Sequence, residues 1–250
     1  EHGLSIWIQT PSGQNHCIDA GHNNDTEFSP FKQMKEKHDV NSIDYLIISH
    51  PDQDHIEGLP NLIDYIGKPR VFCRNKSLPN DMKYGTCDSR YQKIFKELDS
   101  TYTLPVPENE SPTNEKNNGN VTIYTFMNNY TDGMSCNNTS VISLYAYKDW
   151  LFVFPGDIEP TGWDRLQNKY YERMEDMILG SKVILVAPHH GRPSSYSQNM
   201  IDFFTPNLIL VSDRCNEHET DKRYYTCASG LTYKGDIIKF LSTKTKGRIN

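Results

Sequence analysis

Four side chains able to bind a metal ion fall within six residues of one another, directly after a strongly apolar run. The run is Tyr45-Leu46-Ile47-Ile48, and the polar stretch is His50-Pro51-Asp52-Gln53-Asp54-His55. The run predicts a buried strand, and residues 55–66 predict a helix after it. Imidazoles and carboxylates crowded at a strand end repel one another or stay unsatisfied unless a cation lies among them. The stretch therefore predicts a divalent metal site.

A second interpretation of the same stretch is a solvated acidic turn. Asp54 precedes an apolar-periodic segment, as a helix N-cap does, and in that case the histidines are incidental. The residues elsewhere in the chain have to distinguish a metal site from a cap.

Composition indicates a single globular domain over residues 1–250, since 36% of the residues are hydrophobic and 23% are charged. The formal net charge of −6 excludes a protein that holds nucleic acid through a broadly basic surface. No apolar run is long enough to predict a membrane segment, and no signal-peptide pattern opens the sequence. The opening residues, Glu1-His2-Gly3, lack an initiator Met, which suggests a piece excised from a longer protein.

Hydrophobic patterning predicts hairpins followed by strands that alternate with helices, and hence mixed sheets covered by helices. The predicted strands cover residues 4–9, 15–19, 45–49, 70–73, 121–126, 141–147, 150–154, 183–186 and 208–211. The predicted helices cover residues 31–38, 90–98, 162–179, 198–204 and 233–241. Residues 105–119 are polar and rich in Pro, Glu and Asn, which predicts a surface loop or an insertion.

Two further strand ends carry residues of the metal-ligand type. The run of residues 150–154 leads to Asp157, and the run of residues 183–186 leads to His189 and His190. Adjacent histidines alone are weak evidence of a metal site, but three such clusters at the ends of three apolar runs can converge on one rim. The metal interpretation is therefore favoured over the cap.

The sequence resembles the metallo-β-lactamase superfamily, and within it the branch of the hydrolase domain of the bacterial competence protein that imports DNA. The matching residues, in the family's order, are 3–13, 18–21, 47–58, 138–141, 156–157 and 188–191. The resemblance implies an α/β (α+β) fold, a four-layered αββα sandwich with a dinuclear metal site along one edge.

The departures from the superfamily concern the metal ligands. Most members carry His where Asp52 stands and a further His near Asn138, and the competence-like branch shares both differences. Carried over by position, one metal takes His50, Asp52 and Asp157. The other metal takes Asp54, His55, Asp157 and one histidine of the pair, with His189 preferred. A site with more oxygen ligands favours Mn²⁺, with Zn²⁺ as the alternative.

The resemblance implies a metal-dependent phosphodiesterase, and in particular a nuclease that hydrolyses DNA through a hydroxide held by two metals. Asp54 and His190 are the expected catalytic residues, although His190 fits a supporting role equally well. The expected substrate-binding residues are Arg192, Ser194, Ser195 and Asn138. Arg192 is equally consistent with a surface loop, and the other three with turns and caps. Asp19 is expected to fix the backbone near the site.

Two other functions stay open. One is a hydrolase of a small phosphodiester, such as a cyclic nucleotide or a phosphocholine ester, which a deep pocket built by residues 105–119 and 213–230 would favour. The other is a metal-binding sensor module of a DNA-uptake or antiviral defence protein. The resemblance suggests a sensor or membrane domain elsewhere in the full-length protein and, in a bacterium, a cytoplasmic location.

Overall fold

The computed structural model describes residues 3–22, 28–213 and 220–243. These residues form two compact units, one from residues 1–122 and 129–136 and the other from residues 123–128 and 137–250. Each unit contains one main β-sheet with helices packed on it, so the predicted mixed α/β class is confirmed. The assignment of residues 1–250 to a single domain stays a prediction.

The first unit is built on a four-stranded sheet in the order β1-β2-β3-β4. Its strands are β1 (Ile6–Gln9), β2 (Asn15–Ile18), β3 (Tyr45–Ile47) and β4 (Val71–Cys73). Its helices are α1 (Pro30–His38), α2 (Gln53–Ile56), α3 (Leu59–Tyr65), α4 (Asn80–Tyr84), α5 (Arg90–Thr101) and α6 (Glu115–Asn118). Strand β1 is antiparallel to β2, whereas β2, β3 and β4 run parallel to one another. The carboxyl ends of β2 and β3 are therefore neighbours, and they lead into Asp19 and into the predicted metal-binding stretch of residues 50–55.

Helices α1, α3 and α5 bury their apolar sides against one face of this sheet. Phe31, Leu62 and Phe95, one from each helix, are at most 2% exposed and share a core with Leu46 of β3. Local capping sets where two of these helices begin. The Ser29 hydroxyl accepts a hydrogen bond from the first turn of α1, and Ser89 forms a capping box at α5.

The second unit is built on a six-stranded sheet in the order β12-β9-β8-β7-β6-β5. Its strands are β5 (Thr122–Phe126), β6 (Ile142–Tyr147), β7 (Trp150–Phe154), β8 (Lys182–Val186), β9 (Leu208–Val211) and β12 (Phe240–Ser242). The helices of this unit are α7 (Pro160–Ile178) and α8 (Gln198–Phe204). Strands β7, β8, β9 and β12 are parallel, which brings the carboxyl ends of β7 and β8 side by side. The apolar side of α7 packs into the core, since Trp163, Leu166 and Met174 are fully buried.

The predicted helix at residues 233–241 is wrong. The structure has a hairpin of β10 (Leu231–Tyr233) and β11 (Asp236–Ile238), followed by β12. Lys234 and Gly235 between the two strands have φ values of 51° and 94°, the left-handed backbone of a two-residue hairpin turn. The apolar spacing resembles a helix, but the turn and the pairing of β12 with β9 set the conformation.

The polar segment of residues 105–119 has little regular structure: a 3₁₀ turn at Glu108–Glu110 and the short helix α6. Its asparagines supply much of its order. The fully buried side chain of Asn118 donates to the carbonyls of Pro112 and Val121 at 3.1 and 2.9 Å. Among the described residues, no helix combines the length and the apolar character that crossing a membrane requires.

His16 in β2 makes the stability of the fold depend on pH. Burial lowers its pKa from 6.5 to about 4, with Asp44 opposing and Arg70 assisting the shift. The unfolded chain therefore takes up a proton at this residue below its ordinary pKa, while the folded chain takes it up only near the lowered value. Stability from neutral His16 is present above pH 6.5 and is lost as the pH falls toward about 4.

The H16Q variant tests this dependence. Between about pH 7.5 and pH 5, the native chain should lose about 2 kcal/mol more unfolding free energy than H16Q does. Urea denaturation of both chains at the two pH values measures the difference. Equal losses would show that His16 is not held neutral by the fold.

Candidate metal centre

The first ligand cluster comprises His50, Asp52, Asp54 and His55 and follows the carboxyl end of β3. Asp52 occupies the N-cap position of α2, and its side chain makes no capping hydrogen bond. Asp54 lies inside the first turn of this helix, so the interpretation of Asp54 as the N-cap is wrong. The carboxylates are therefore not used as caps, and their oxygens stay beside the two histidines.

The two imidazoles of the first cluster are buried and closely packed. Their ring centroids are 4.1 Å apart, and the residues are 2% and 0% exposed. Nδ1 of His50 lies 3.1 Å from the Ser49 hydroxyl, and Nδ1 of His55 lies 2.8 Å from an Asp19 carboxylate oxygen. Because Nδ1 is engaged in each ring, Nε2 is the nitrogen that each ring would offer to a metal.

Asp19 orders this region, as expected from the sequence. Its fully buried carboxylate accepts hydrogen bonds from the Ser49 backbone N–H at 2.7 Å and from the Ser49 hydroxyl at 2.8 Å, besides its contact with His55. Asp19 itself has a left-handed backbone, with φ of 60°. A non-glycine residue holds that conformation only where its surroundings fix it.

The carboxylates of the first cluster lie beside Nε2 of the two rings. Nε2 of His50 is 3.4 Å from an Asp52 oxygen, and Nε2 of His55 is 3.9 Å from an Asp54 oxygen. Burial opposes ionisation of Asp52, but hydrogen bonds to His50 and Cys136 and electrostatic interactions with His50 and His55 together lower the pKa of Asp52. The side chains of Asp52 and Asp54 are 47% and 27% exposed, so the carboxylates open to solvent while the imidazoles do not.

The second ligand cluster comprises Asp157, His189 and His190 and lies at the carboxyl ends of β7 and β8. Gly156, with φ of 60°, makes the turn that follows β7, and its carbonyl accepts a hydrogen bond from the His189 N–H at 3.2 Å. Nε2 of His189 is 3.5 Å from an Asp157 oxygen. A nitrogen of His190 lies within 4.8 Å of a carboxylate oxygen of Asp157. Both imidazoles are therefore candidate ligands beside the same carboxylate.

His189 and His190 are held in a costly backbone conformation. Their φ values are 50° and 56°, a left-handed pair of non-glycine residues, which costs about 1–3 kcal/mol for each. Side-chain contacts help to fix the pair. Nδ1 of His189 lies 3.1 Å from the Ser195 hydroxyl, and Nδ1 of His190 lies 3.0 Å from the Ser212 carbonyl oxygen.

The four predicted substrate-binding residues all belong to the second unit. Arg192 is half-buried directly after the histidine turn, Ser194 is exposed and Ser195 is buried. Ser195 contacts His189 through its hydroxyl, which indicates an orienting role. Asn138 is 8% exposed, and both ends of its amide are hydrogen-bonded around residue 159.

The two clusters fit a divalent cation by the chemistry of their donors. Together they offer imidazole nitrogens and carboxylate oxygens, the ligands of Zn²⁺, Mn²⁺ and iron sites. Protein groups orient each ring through Nδ1, as is usual for metal-ligating histidines. Sequence reasoning missed the orienting contacts of Ser195 and the Ser212 carbonyl, which link residues that no local pattern relates.

Comparisons with known solved structures give distant likenesses. No protein-family model matches the sequence, and no curated protein matches it. A diphosphatase of the PhnP family is similar in structure, with a TM-score of 0.41 and 14% identity over 82% of this chain and 71% of that chain. CmlA, a diiron beta-hydroxylase from Streptomyces venezuelae, has a TM-score of 0.42 and 14% identity over 84% of this chain and 45% of its own. Likenesses this distant define no activity, so the activity has to be inferred from the two clusters.

The D19N variant tests whether Asp19 organises the first cluster. The amide replaces an acceptor oxygen by a donor facing Ser49 or His55, so we expect a loss of about 3 kcal/mol in unfolding free energy. D39N is the matched control, because Asp39 is also left-handed, with φ of 53°, but is exposed. Denaturation in EDTA measures both variants, and equal small losses would contradict an organising role for Asp19.

Proposed function

We propose that this chain is a metal-dependent hydrolase of phosphate esters, in which the first and second ligand clusters serve one dinuclear centre. One observation carries the proposal. In three separate pairs, His50–Asp52, His55–Asp54 and His189–Asp157, Nε2 lies 3.4, 3.9 and 3.5 Å from a carboxylate oxygen. All three rings are held at Nδ1 by protein groups. Such pairs are prearranged to share a cation.

The proposed ligand sets follow the resemblance to the metallo-β-lactamase superfamily. One ion takes His50, Asp52 and Asp157, and the other takes Asp54, His55, Asp157 and either His189 or His190. Asp157 thus bridges the two ions. Its 2% exposure is consistent with this role, because a carboxylate that deeply buried is stabilised by hydrogen bonds or by positive charge beside it.

We infer that Mn²⁺ is the favoured metal and Zn²⁺ the alternative. Three carboxylates among the proposed ligands make the site richer in oxygen than an all-imidazole zinc site, and oxygen donors suit Mn²⁺. The imidazoles of the same set keep Zn²⁺ competitive.

In the proposed reaction, the bound ions would activate a water molecule and neutralise charge on the phosphoryl oxygens. Asp54 orients that water through a carboxylate oxygen. Nδ1 of His190 lies 3.0 Å from the Ser212 carbonyl oxygen, and the other ring nitrogen of His190 would protonate the leaving oxygen. The half-buried guanidinium of Arg192 binds a phosphate oxygen pair.

Within this reaction class, we propose DNA as the substrate, as the resemblance to the DNA-uptake branch implies. The net charge of −6 requires DNA to be held locally, by the metals and Arg192. The same charge favours the second candidate, a small phosphodiester that needs no extended basic surface.

The D157N variant tests the proposed activity. The purified chain would be assayed with labelled single- and double-stranded DNA and with bis-p-nitrophenyl phosphate, in Mn²⁺, Mg²⁺, Zn²⁺ or EDTA. We expect Mn²⁺-dependent DNA cleavage that falls at least ~100-fold in D157N, because the bridging charge is lost. D149N is the matched control, since Asp149 is exposed and its side chain pairs with surface Lys182 at 3.0 Å, so this variant should leave the rate unchanged.

The outcomes separate the candidates. Hydrolysis of bis-p-nitrophenyl phosphate without DNA cleavage would favour the small phosphodiester. Rates that are equal in EDTA and Mn²⁺, or equal in D157N and the native chain, would contradict a metal-dependent hydrolase.

A further inference from the structure

A short segment of the second unit, residues 137–140, lies along the loop that carries Asp157. The Ser140 hydroxyl accepts a hydrogen bond from the Asp157 backbone N–H at 3.2 Å. Glu159 lies two residues after Asp157, and its backbone N–H donates a hydrogen bond to the side-chain oxygen of Asn138 at 3.1 Å. The loop is thus held at Asp157 itself and again at Glu159.

Asn138 also binds Glu159 through the other end of its amide. Its Nδ2 donates to a Glu159 carboxylate oxygen at 2.8 Å and lies 3.4 Å from the Thr161 hydroxyl. The Asn138 side chain therefore makes two hydrogen bonds with Glu159. It accepts one from the Glu159 backbone N–H and donates one to the Glu159 carboxylate. Such a two-point contact fixes both position and orientation.

The backbone carbonyl of Asn138 is itself held by a hydrogen bond from another side chain. The buried side chain of Asn128 donates to the carbonyls of Asn138 and Gly162, at 3.0 and 2.8 Å. The approach is so close that a Cβ at Gly162 would lie 2.2 Å from the Asn138 side-chain oxygen. Glycine at 162 is therefore required for Asn138 to reach the loop.

We propose that Asn138 and Ser140 are positioning residues that fix the loop of Asp157 before a metal binds. This inference rests on the proposed function only in taking Asp157 as a metal ligand. Ser140 is fully buried and Asn138 is 8% exposed, with their polar atoms directed at the loop. Without these contacts, metal binding has to order the loop, and that ordering reduces affinity.

The N138D and S140A variants test the proposal through metal affinity. In N138D the nearly isosteric carboxylate still accepts from the Glu159 N–H but repels the Glu159 carboxylate. S140A removes the acceptor for the Asp157 N–H. We expect calorimetric Mn²⁺ affinity to fall about 10–100-fold in each variant, the range seen when a group that orients a ligand is removed. Thermal unfolding in EDTA would verify that both variants fold.

Two further variants distinguish positioning from general destabilisation. The N138D/E159Q double variant exchanges the donor and acceptor of the pair and should regain affinity to within about threefold of the native chain. N207D is the matched control, because Asn207 also bridges a backbone and a side-chain group. Its amide oxygen accepts from the Val183 N–H, near the amino end of β8, and its amide nitrogen donates to the Ser229 hydroxyl. N207D should lower the unfolding temperature without changing Mn²⁺ affinity.

The D157N variant separates failure of this inference from failure of the proposed function. If the native chain binds Mn²⁺ no better than D157N, the proposed metal centre fails. If D157N alone weakens binding, while N138D and S140A match the native affinity or exceed it, the positioning role is overturned and the metal centre stands. Weakened binding in N207D, or no recovery in N138D/E159Q, would also overturn the positioning role.

Discussion

The buried carboxylate of Asp19 is the interaction on which the first ligand cluster depends. It accepts hydrogen bonds from the backbone and side chain of Ser49 and contacts Nδ1 of His55 at 2.8 Å. These contacts fix the backbone at Ser49 and the ring of His55 in the turn after β3. The backbone supports the same arrangement, because the carbonyls of Asp54 and His55 accept hydrogen bonds from Leu4 and Ala20. A segment with two histidines and two aspartates is thereby fixed by groups that are not candidate ligands.

The second ligand cluster is built on the same physical basis with different groups. Parallel pairing of β7 and β8 brings Asp157 and the two histidines to one edge of the sheet. The Ser195 hydroxyl and the Ser212 carbonyl hold the rings, and the segment of residues 137–140 holds the carboxylate loop. In both units, the histidine rings at the carboxyl ends of strands are oriented by hydrogen bonds to neighbouring protein groups that are not candidate ligands. A preorganised set of this kind lowers the free-energy cost of binding a cation.

Sequence patterns predicted much of this arrangement because its main determinants are local. The apolar runs of β7, β8 and β9 and the stripe of α7 are strongly periodic, and their elements lie close to the predicted positions. The candidate ligands could be named because each follows directly after such a run. The C-terminal hairpin was missed because its two-residue turn, Lys234-Gly235, is a weaker signal than the apolar spacing around it.

The contacts that orient the candidate ligands could not be predicted in the same way. Ser212 acts through its carbonyl oxygen, which every residue carries, and Asn138 meets Glu159 across 21 positions of sequence. Asn138 was expected either to contact a phosphate or to close a turn, and its amide is hydrogen-bonded to Glu159 in the loop after Asp157. The left-handed backbone of His189 and His190 also could not be predicted, because only a few per cent of non-glycine residues adopt it, although histidine does so more often than most.

We propose that ligands from the two clusters serve one dinuclear centre, and a double-mutant cycle in Mn²⁺ affinity tests this proposal most directly. Calorimetry would compare the native chain with H50A, D157N and the double variant. We expect two Mn²⁺ ions per native chain, at least ~10-fold weaker binding in each single variant, and strongly non-additive losses in the double variant, because both residues would share an ion. Independent, additive losses, or a native chain that binds no Mn²⁺, would contradict a shared centre.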